Sequence, residues 1–571
     1  MAASRPNIVL LVTDDQGFGD LGCYTNGKVH TPNLDELYAT SVRMNQFYVS
    51  PLCSPTRAAI LTGCYPERVG VWDTGRGMAN LRPGTTTLAD ILRHEGYRTG
   101  VFGKWHTGSR RPQRPSDTGF DRSAIITRQK SIYDYTIDRD DEEHDGQGPR
   151  EEAIFDEAMR FIEENAERPF FAYVASFAPH DRPLPMCPPD QKRRYRELDE
   201  GEGDKEIYGM MSWFDENVGR LRRKLRDLHL DEKTIIVYFP DNGPLRDTVD
   251  LVTPWERHMV AQFDIRARFN RGLRAGKVSA YEGGVHVPCF VHLPGQRAAR
   301  DVEELCAHID LLPTIVDLCG GAMPEGLTVD GTNLAPLLSG EAHEWPDRTI
   351  VSRNDRLRHP RKWYNTTIRD SRFKLCNGSE LYRLDADPGE SDDRSGEYPD
   401  VVAEMRRKYE KWWDDITRSN EGFTPSYVLF DEHADTYPMV EFTEPPLSVG
   451  IEKQDTFVLP DSDEAAPTEW KYSEGVRVKV ERTGIYDFLV NGIRRELLTN
   501  DSECELRIGD ARYVREPGGA ESVEFARIEV PRGVYFIAVR ITNLKSMPVT
   551  NLICWDQGFR SLSYVRSAAS G

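Results

Sequence analysis

Two places in this chain set hard oxygen donors side by side just after an apolar run. Asp14 and Asp15 follow Asn7–Thr13 and precede Gln16-Gly17, and Asp241-Asn242-Gly243 follows the run 234–239. Side chains alternate faces along a strand. Adjacent aspartates therefore converge on one point only in the turn beyond the strand end, where glycine lets the backbone bend. Three carboxylates and an amide oxygen, with no Cys/His cluster of zinc spacing beside them, suit Ca²⁺ or Mg²⁺. Ca²⁺ is favoured over Mg²⁺ where several carboxylates form a dedicated protein cage. Either segment alone reads as an ordinary turn. Both at strand ends, with Cys53 between them in Leu52-Cys53-Ser54-Pro55-Thr56-Arg57, read as a cation site.

The elements that must position these groups alternate through the first 340 or so residues. Apolar runs at 7–13, 99–103, 170–177, 234–239 and 287–293 are separated by helix-like stretches at 86–95, 151–164, 206–228 and 304–319. Continuous apolar strands alternating with helices predict an α/β fold, a mostly parallel, doubly wound sheet flanked by helices. Ligands of such sheets bind beyond the carboxyl ends of the strands. Four strands end there in reactive residues: Asp14-Asp15, Lys104-Trp105-His106, Pro179-His180 and Asp241-Asn242. The charged stretches 138–150 and 188–205 read as solvated loops. We place a catalytic α/β domain at 1–345 and a small antiparallel-sheet subdomain at 346–420, with strands at 372–375 and 380–384 and a closing helix at 401–417. A C-terminal β-rich, sandwich-like domain follows at 421–571, where short alternating runs are separated by glycine turns.

With 571 residues, 39% hydrophobic and 29% charged, the chain has material for a large core. Its net charge of −20 argues against a nucleic-acid binder and requires any anionic substrate to be met by local cations. No apolar segment reaches the roughly 20 residues of a membrane span. Met1-Ala2-Ala3-Ser4-Arg5-Pro6 is no signal peptide, so the chain as written is expected in the cytoplasm, or in the periplasm or outside the cell if it has been trimmed. Ten scattered cysteines without a CxxC pair read as reduced core residues with at most one bridge.

The segment Cys53-Ser54-Pro55-Thr56-Arg57 resembles the signature of the type I sulfatases, of the alkaline-phosphatase superfamily. The resemblance covers about residues 6–385, with motifs in family order. They are Asn7 to Asp15, Cys53 to Arg57 with Leu61-Thr62-Gly63, Gly103-Lys104-Trp105-His106, Ala178-Pro179-His180, Asp241-Asn242-Gly243, Gly276-Lys277 with Tyr281-Glu282-Gly283-Gly284, and Glu380-Leu381-Tyr382 with Asp387-Pro388-Gly389-Glu390. The resemblance implies an enzyme that hydrolyses sulfate monoesters. In that family the cysteine is oxidised to formylglycine, whose hydrate attacks sulfur. A formylglycine-generating or anaerobic sulfatase-maturating enzyme is implied as a partner. Asp14, Asp15, Asp241, Asn242 and residue 53 would hold Ca²⁺, with Asp241 also accepting the nucleophile's proton. Arg57 would orient the hydrate, and Lys104 and Lys277 would neutralise sulfate oxygens. His180, with Lys277, would protonate the leaving alcohol. His106 would deprotonate the second hydroxyl. Imidazole titrates near working pH, and such help is typically worth ~10²–10⁴-fold.

Three positions depart from the family pattern: Thr107, where leucine is common; Pro240, where small polar residues are common; and His286, where arginine is usual. Leaving-group recognition should come from loops at the strand ends. We take Arg76 in Trp72–Arg76, Asp181-Arg182, Trp255-Glu256-Arg257-His258 and Arg361-Lys362-Trp363 as contacts to a substrate, a small-molecule or saccharide sulfate ester. Two alternatives stand beside this reading: a phosphate or phosphonate monoester hydrolase of the same superfamily, and a catalytically silent binder of sulfated glycans.

Overall fold

The computed structural model describes residues 5–25, 27–74, 78–108, 110–129, 131–180, 186–246, 264–265, 268–341, 345–355, 360–419, 423, 426, 428–429, 437–441, 476–480, 483–491, 501–518, 520, 522–542 and 561–566. Ten strands among them form one sheet: β1 (Asn7–Thr13), β2 (Val42–Tyr48), β3 (Arg98–Gly103), β4 (Arg122–Gln129), β5 (Tyr135–Arg139), β6 (Glu142–Asp145), β7 (Phe170–Ala175), β8 (Thr234–Pro240), β9 (Phe290–His292) and β10 (Arg300–Ala307). Their order is β10-β2-β9-β8-β1-β7-β3-β4-β5-β6. The strands β8, β1, β7 and β3 lie side by side and parallel. These are the four whose reactive ends stand out in the sequence.

Every residue of β1 is buried, because both faces of the sheet are covered. Val9 and Leu11 join a core with Phe155, Phe161 and Trp213 from the helices Arg150–Glu164 and Glu202–Asp227. Ile8, Leu10 and Val12 point the other way, into a core with Ile60, Leu61, Leu312 and Ile315 from the helices Cys53–Thr62 and Leu311–Leu318. Each such side chain taken from water contributes about 1.5–3 kcal/mol.

Four expectations change in detail. The charged stretch 188–205 is not wholly a loop: it holds the helix Pro189–Arg193 and the first turn of the helix Glu202–Asp227. The run 287–293 yields β9, which is antiparallel to both β2 and β8. The first residues of the helix-like stretch 304–319 belong to β10, and the helix begins only at Leu311. Only 146–149 of the charged stretch 138–150 is loop. Residues 138–145 belong to the β5–β6 hairpin at the sheet's edge, where Glu142–Asp145 are exposed and free to be polar, and Arg150 opens the next helix.

A second sheet comprises β11 (Ile350–Arg353), β12 (Thr366–Arg369), β13 (Phe373–Cys376) and β14 (Glu380–Arg383), all antiparallel. The helix Pro399–Ser419 packs its Met405, Tyr409, Trp413 and Ile416 into the same core as Ile368 and Leu375. Towards the C-terminus, β15 (Val428–Leu429), β16 (Tyr437–Glu441), β17 (Val476–Val480), β18 (Gly484–Asn491), β19 (Glu503–Ile508), β20 (Ala511–Arg515), β21 (Ser522–Val530), β22 (Gly533–Thr542) and β23 (Ser561–Arg566) form two sheets. Val478, Leu506 and Val539 of one meet Phe488, Val490 and Phe525 of the other in a shared core, so the unit is a sandwich. The cysteines among the described residues are all free thiols. No helix among the described residues is long and apolar enough to cross a membrane.

The second sheet is fastened to the first by buried charge. Lys374 Nζ on β13 donates to Glu282 Oε1 at 2.9 Å and lies 3.0 Å from Glu390 Oε1. The Glu282 N–H donates to Glu390 Oε2 at 2.7 Å, and Tyr48 Oη donates to Glu282 Oε2 at 2.7 Å. Burial pushes Glu282 up, but Lys374 and His286 outweigh it and hold that carboxyl well below the usual range. Glu390 is pushed up to about 7, by burial first and then by Glu282. Breaking a buried ion pair from one side strands the other charge, at about 3–5 kcal/mol. Lys374→Met is expected to lower stability by that amount, read from the urea midpoint. A loss under about 1 kcal/mol would mean that the cluster is held by groups other than the lysine.

Candidate active site

Backbone bonds just past the strand ends set the reactive groups level with one another. The Asp14 N–H donates to Ala178 O at 2.9 Å, Asp241 N–H to Thr13 O at 2.9 Å and Lys104 N–H to Ala175 O at 2.8 Å. Register thus brings together residues far apart in sequence. Asp15 takes a left-handed backbone (φ 60°), so its carboxylate turns to the same side as that of Asp14. Behind the second turn, Gly243 lies against Gly283. A β-carbon on Gly243 would sit 1.9 Å from the Gly283 oxygen, so no larger residue fits.

Cys53 opens the wholly buried helix Cys53–Thr62 and is itself 2% exposed. One turn later, Arg57 Nε and Nη2 donate to a single oxygen, Asp241 Oδ2, at 3.0 and 2.7 Å, and Nη1 donates to Lys104 O at 3.1 Å. Lys104 Nζ donates to Asp14 Oδ2 at 2.6 Å, and Lys277 Nζ donates to Asp15 Oδ2 at 2.6 Å. His106 Nδ1 lies 3.3 Å from Cys53 Sγ, with its Nε2 3.3 Å from Thr74 O. Lys277 Nζ also lies 3.1 Å from His180 Nε2; with the ammonium donating, the imidazole nitrogen accepts. The three carboxylates are thus met by three buried or nearly buried cations, the local positive charge that the chain's overall −20 calls for.

The donor set fits an oxygen-seeking cation. Ligand atoms of Asp14, Cys53 and Asp241 lie within 4.8 Å of one another, as do those of Asp14, Asp15 and His180. Asp14 Oδ1 and Asn242 Oδ1 are buried without a hydrogen-bond partner among the described residues, while Asn242 Nδ2 donates to Asp15 Oδ1 at 2.8 Å. Orphaned buried oxygens beside paired carboxylates are costly unless something positive meets them. The electrostatics agree. Burial raises Asp14, but Lys104, His180, Arg57 and Lys277 hold it well below the ordinary carboxylate range. Burial and then the Asp14 charge push Asp241 up to about 7. Burial depresses Lys104, but Asp14 outweighs it and the ammonium titrates higher than usual.

The sequence-derived residues Asp14, Asp15, Cys53, Arg57, Lys104, His106, His180, Asp241, Asn242 and Lys277 are therefore brought into one cluster. The expected substrate contacts Arg76, Asp181 and Arg182 lie outside the described residues, as does 255–258. Lys362 and Trp363 turn to Glu410 in the helix Pro399–Ser419. His286 places Nδ1 3.1 Å from Glu282 and Nε2 2.8 Å from Asn45 O. Sequence reasoning missed how the Lys277 segment is held: Asn354 and Asn365 of the second sheet's hairpin both donate to Val278 O, at 2.8 and 2.7 Å. Only the proximity of an asparagine to each hairpin strand signals this, and that is too common to notice.

The sequence model of the Sulfatase family matches residues 6–322, and that of the N-sulphoglucosamine sulphohydrolase C-terminal region matches 276–414. The chain belongs to the sulfatase family, and it is a sulfatase, a hydrolase of sulfate esters. It is 32% identical to human arylsulfatase A over 382 residues, 59% of this chain and 68% of that protein. To human N-acetylgalactosamine-6-sulfatase it is 30% identical over 381 residues, 60% of this chain and 68% of the relative. Among solved structures, that of Ps i-CgsB in complex with k-i-k-neocarrahexaose superposes with a TM-score of 0.64 at 25% identity, over 74% of this chain and 95% of the other.

Proposed function

We propose that the chain removes sulfate from a sulfated carbohydrate, with formylglycine made from Cys53 and a Ca²⁺ ion held by Asp14, Asp15, Asp241 and Asn242. The observation that carries this reading is the convergence of Cys53 Sγ with Asp14 and Asp241 within 4.8 Å, at the end of the parallel strands. Bound there, the cation would polarise a sulfate oxygen, and formylglycine would supply the hydroxyl that attacks sulfur and the carbonyl whose return releases sulfate.

The chain's own groups do the rest. Lys104 and Lys277 stand on either side of the aspartate pair, where they orient and neutralise sulfate oxygens as charge shifts. Arg57 grips Asp241 through two N–H groups and so turns that carboxylate towards residue 53. His106 Nδ1, 3.3 Å from the side chain at 53, is within reach of a proton there. His180 would protonate the leaving alcohol with a proton received from Lys277, whose Nζ lies 3.1 Å from His180 Nε2. A saccharide is favoured as leaving group because relatives include an N-acetylgalactosamine-6-sulfatase and a protein solved with k-i-k-neocarrahexaose.

The test is made on protein produced with a formylglycine-generating enzyme, our proposed maturation partner. The tryptic peptide Met44–Arg57 is expected to lose the mass of the thiol-to-aldehyde change and to react with a hydrazide. The same protein is expected to turn over an aryl sulfate faster than the aryl phosphate. Full sulfatase activity with an unmodified cysteine would overturn the formylglycine reading, and a preference for phosphate would overturn the substrate class.

A further inference from the structure

The two turns that carry Asp14-Asp15 and Asp241-Asn242 come from different strands, and a cage needs their spacing fixed. The turns meet directly through Asn242 Nδ2, which donates to Asp15 Oδ1 at 2.8 Å, and through a long bond of 3.3 Å from the Asp15 N–H to Asp241 Oδ1, but both bonds are made by groups that would also hold the cation. A third segment, Arg268-Phe269-Asn270, meets both turns. Arg268 is 2% exposed. Its Nη2 donates to Asp15 O at 3.2 Å, and its Nη1 donates to Leu245 O at 3.0 Å, four residues after Asp241. The same Nη2 meets the carboxylate of Asp20, whose Oδ2 also accepts from the Gly17 N–H at 2.7 Å. One planar guanidinium thus spans the two turns, and its charge is balanced by an aspartate that folds back on the first of them.

The two residues after it add to the clasp. Asn270 Oδ1 accepts from the Phe18 N–H at 3.0 Å, and Asn270 Nδ2 donates to Gly283 O at 3.3 Å. Gly283 is the residue against which Gly243 packs. The Phe269 carbonyl presses so closely on Gly19 that a β-carbon there would lie 1.7 Å from its oxygen. The contacts leave no slack between the segment and the first turn.

We infer that Arg268 is a positioning residue that sets the separation of the two cation-holding turns, with Asn270 as its support. The inference rests on the proposed cation site. Lysine would keep the charge opposite Asp20 but offers one compact ammonium, which cannot reach Asp15 O and Leu245 O together.

The test measures Ca²⁺ binding by calorimetry on the full chain, wild type beside Arg268→Lys and Asn270→Ala, with the melting temperature of each in chelator. Groups that orient metal ligands typically cost about 10–100-fold in affinity when lost. We expect a Ca²⁺ Kd raised about 10–100-fold in Arg268→Lys, and raised less in Asn270→Ala. Melting in chelator is expected to fall in both variants, since each leaves buried backbone groups without a partner, while kcat should recover at saturating Ca²⁺. A purely structural role would lower melting without separating Kd from kcat. Unchanged Kd in both variants overturns the inference while leaving the cation site standing. A wild type that binds no Ca²⁺ removes the site and the inference with it.

Discussion

Cys53→Ser is expected to lose aryl sulfate turnover by on the order of 10⁴-fold or more, since removal of a nucleophile leaves only binding and charge stabilisation. Serine nearly matches cysteine in shape, so the helix Cys53–Thr62 and the partners of Arg57 should persist, and melting should stay near wild type. In protein made with the formylglycine-generating enzyme its hydroxyl is expected to stay unconverted, which the mass of the peptide Met44–Arg57 checks. That hydroxyl is also next to His106 Nδ1, as the thiol is at 3.3 Å, so a base is present in both proteins. The comparison therefore isolates the chemistry of the side chain at 53. Wild-type turnover by the serine variant would sink the mechanism, because a base and a hydroxyl would then suffice.

Chelation is expected to lower both activity and melting temperature, and added Ca²⁺ to restore them. Asp14 and Asp241 are fully buried neighbours, and Asp241 is pushed up to about 7 by burial and by Asp14. Asp14, Asp241 and Asn242 would hold a cation there, whose charge would relieve that repulsion and satisfy the orphaned oxygens of Asp14 and Asn242. A ligand at a hundred times its Kd stabilises the folded state by about 2.7 kcal/mol. If neither property moves, and metal analysis of the purified protein is blank, then Asp14, Asp15, Asp241 and Asn242 do not form a cation site.

Much of this was legible in the sequence for one reason. A strand buried on both faces is apolar throughout, so Asn7–Thr13 and Thr234–Pro240 announce themselves, and the polar residues that end them are the ones that line the cluster. The reading fails where the periodic signal is weak. The residues Leu305 to Ala307 are as apolar as the helix that follows, and only the pairing of β10 with β2 makes them strand. The hairpin of β5 and β6 is charged because it is exposed, and charge alone cannot separate a solvated loop from a solvated strand. Contacts through space leave still less trace. Arg268 is one arginine among several in 266–274, and its bond to Asp15 spans 253 positions. The bond from Lys374 to Glu282 spans 92.

The charged hairpin has a consequence for how the molecule behaves among its copies. Among the described residues the ten-stranded sheet ends in two open edges, each a row of backbone donors and acceptors that another chain can extend into an aggregate. One edge here is β6, whose exposed Glu142, Glu143, His144 and Asp145 would bring an identical strand face to face with its own negative charge. The other is β10, whose register slips between Val302 and Leu305, with exposed Asp301 just before the slip and exposed Glu303 within it. An incoming strand meets repulsion at the first border and a broken ladder at the second. The buried strands at the centre can remain as apolar as their packing demands because both margins deter self-association.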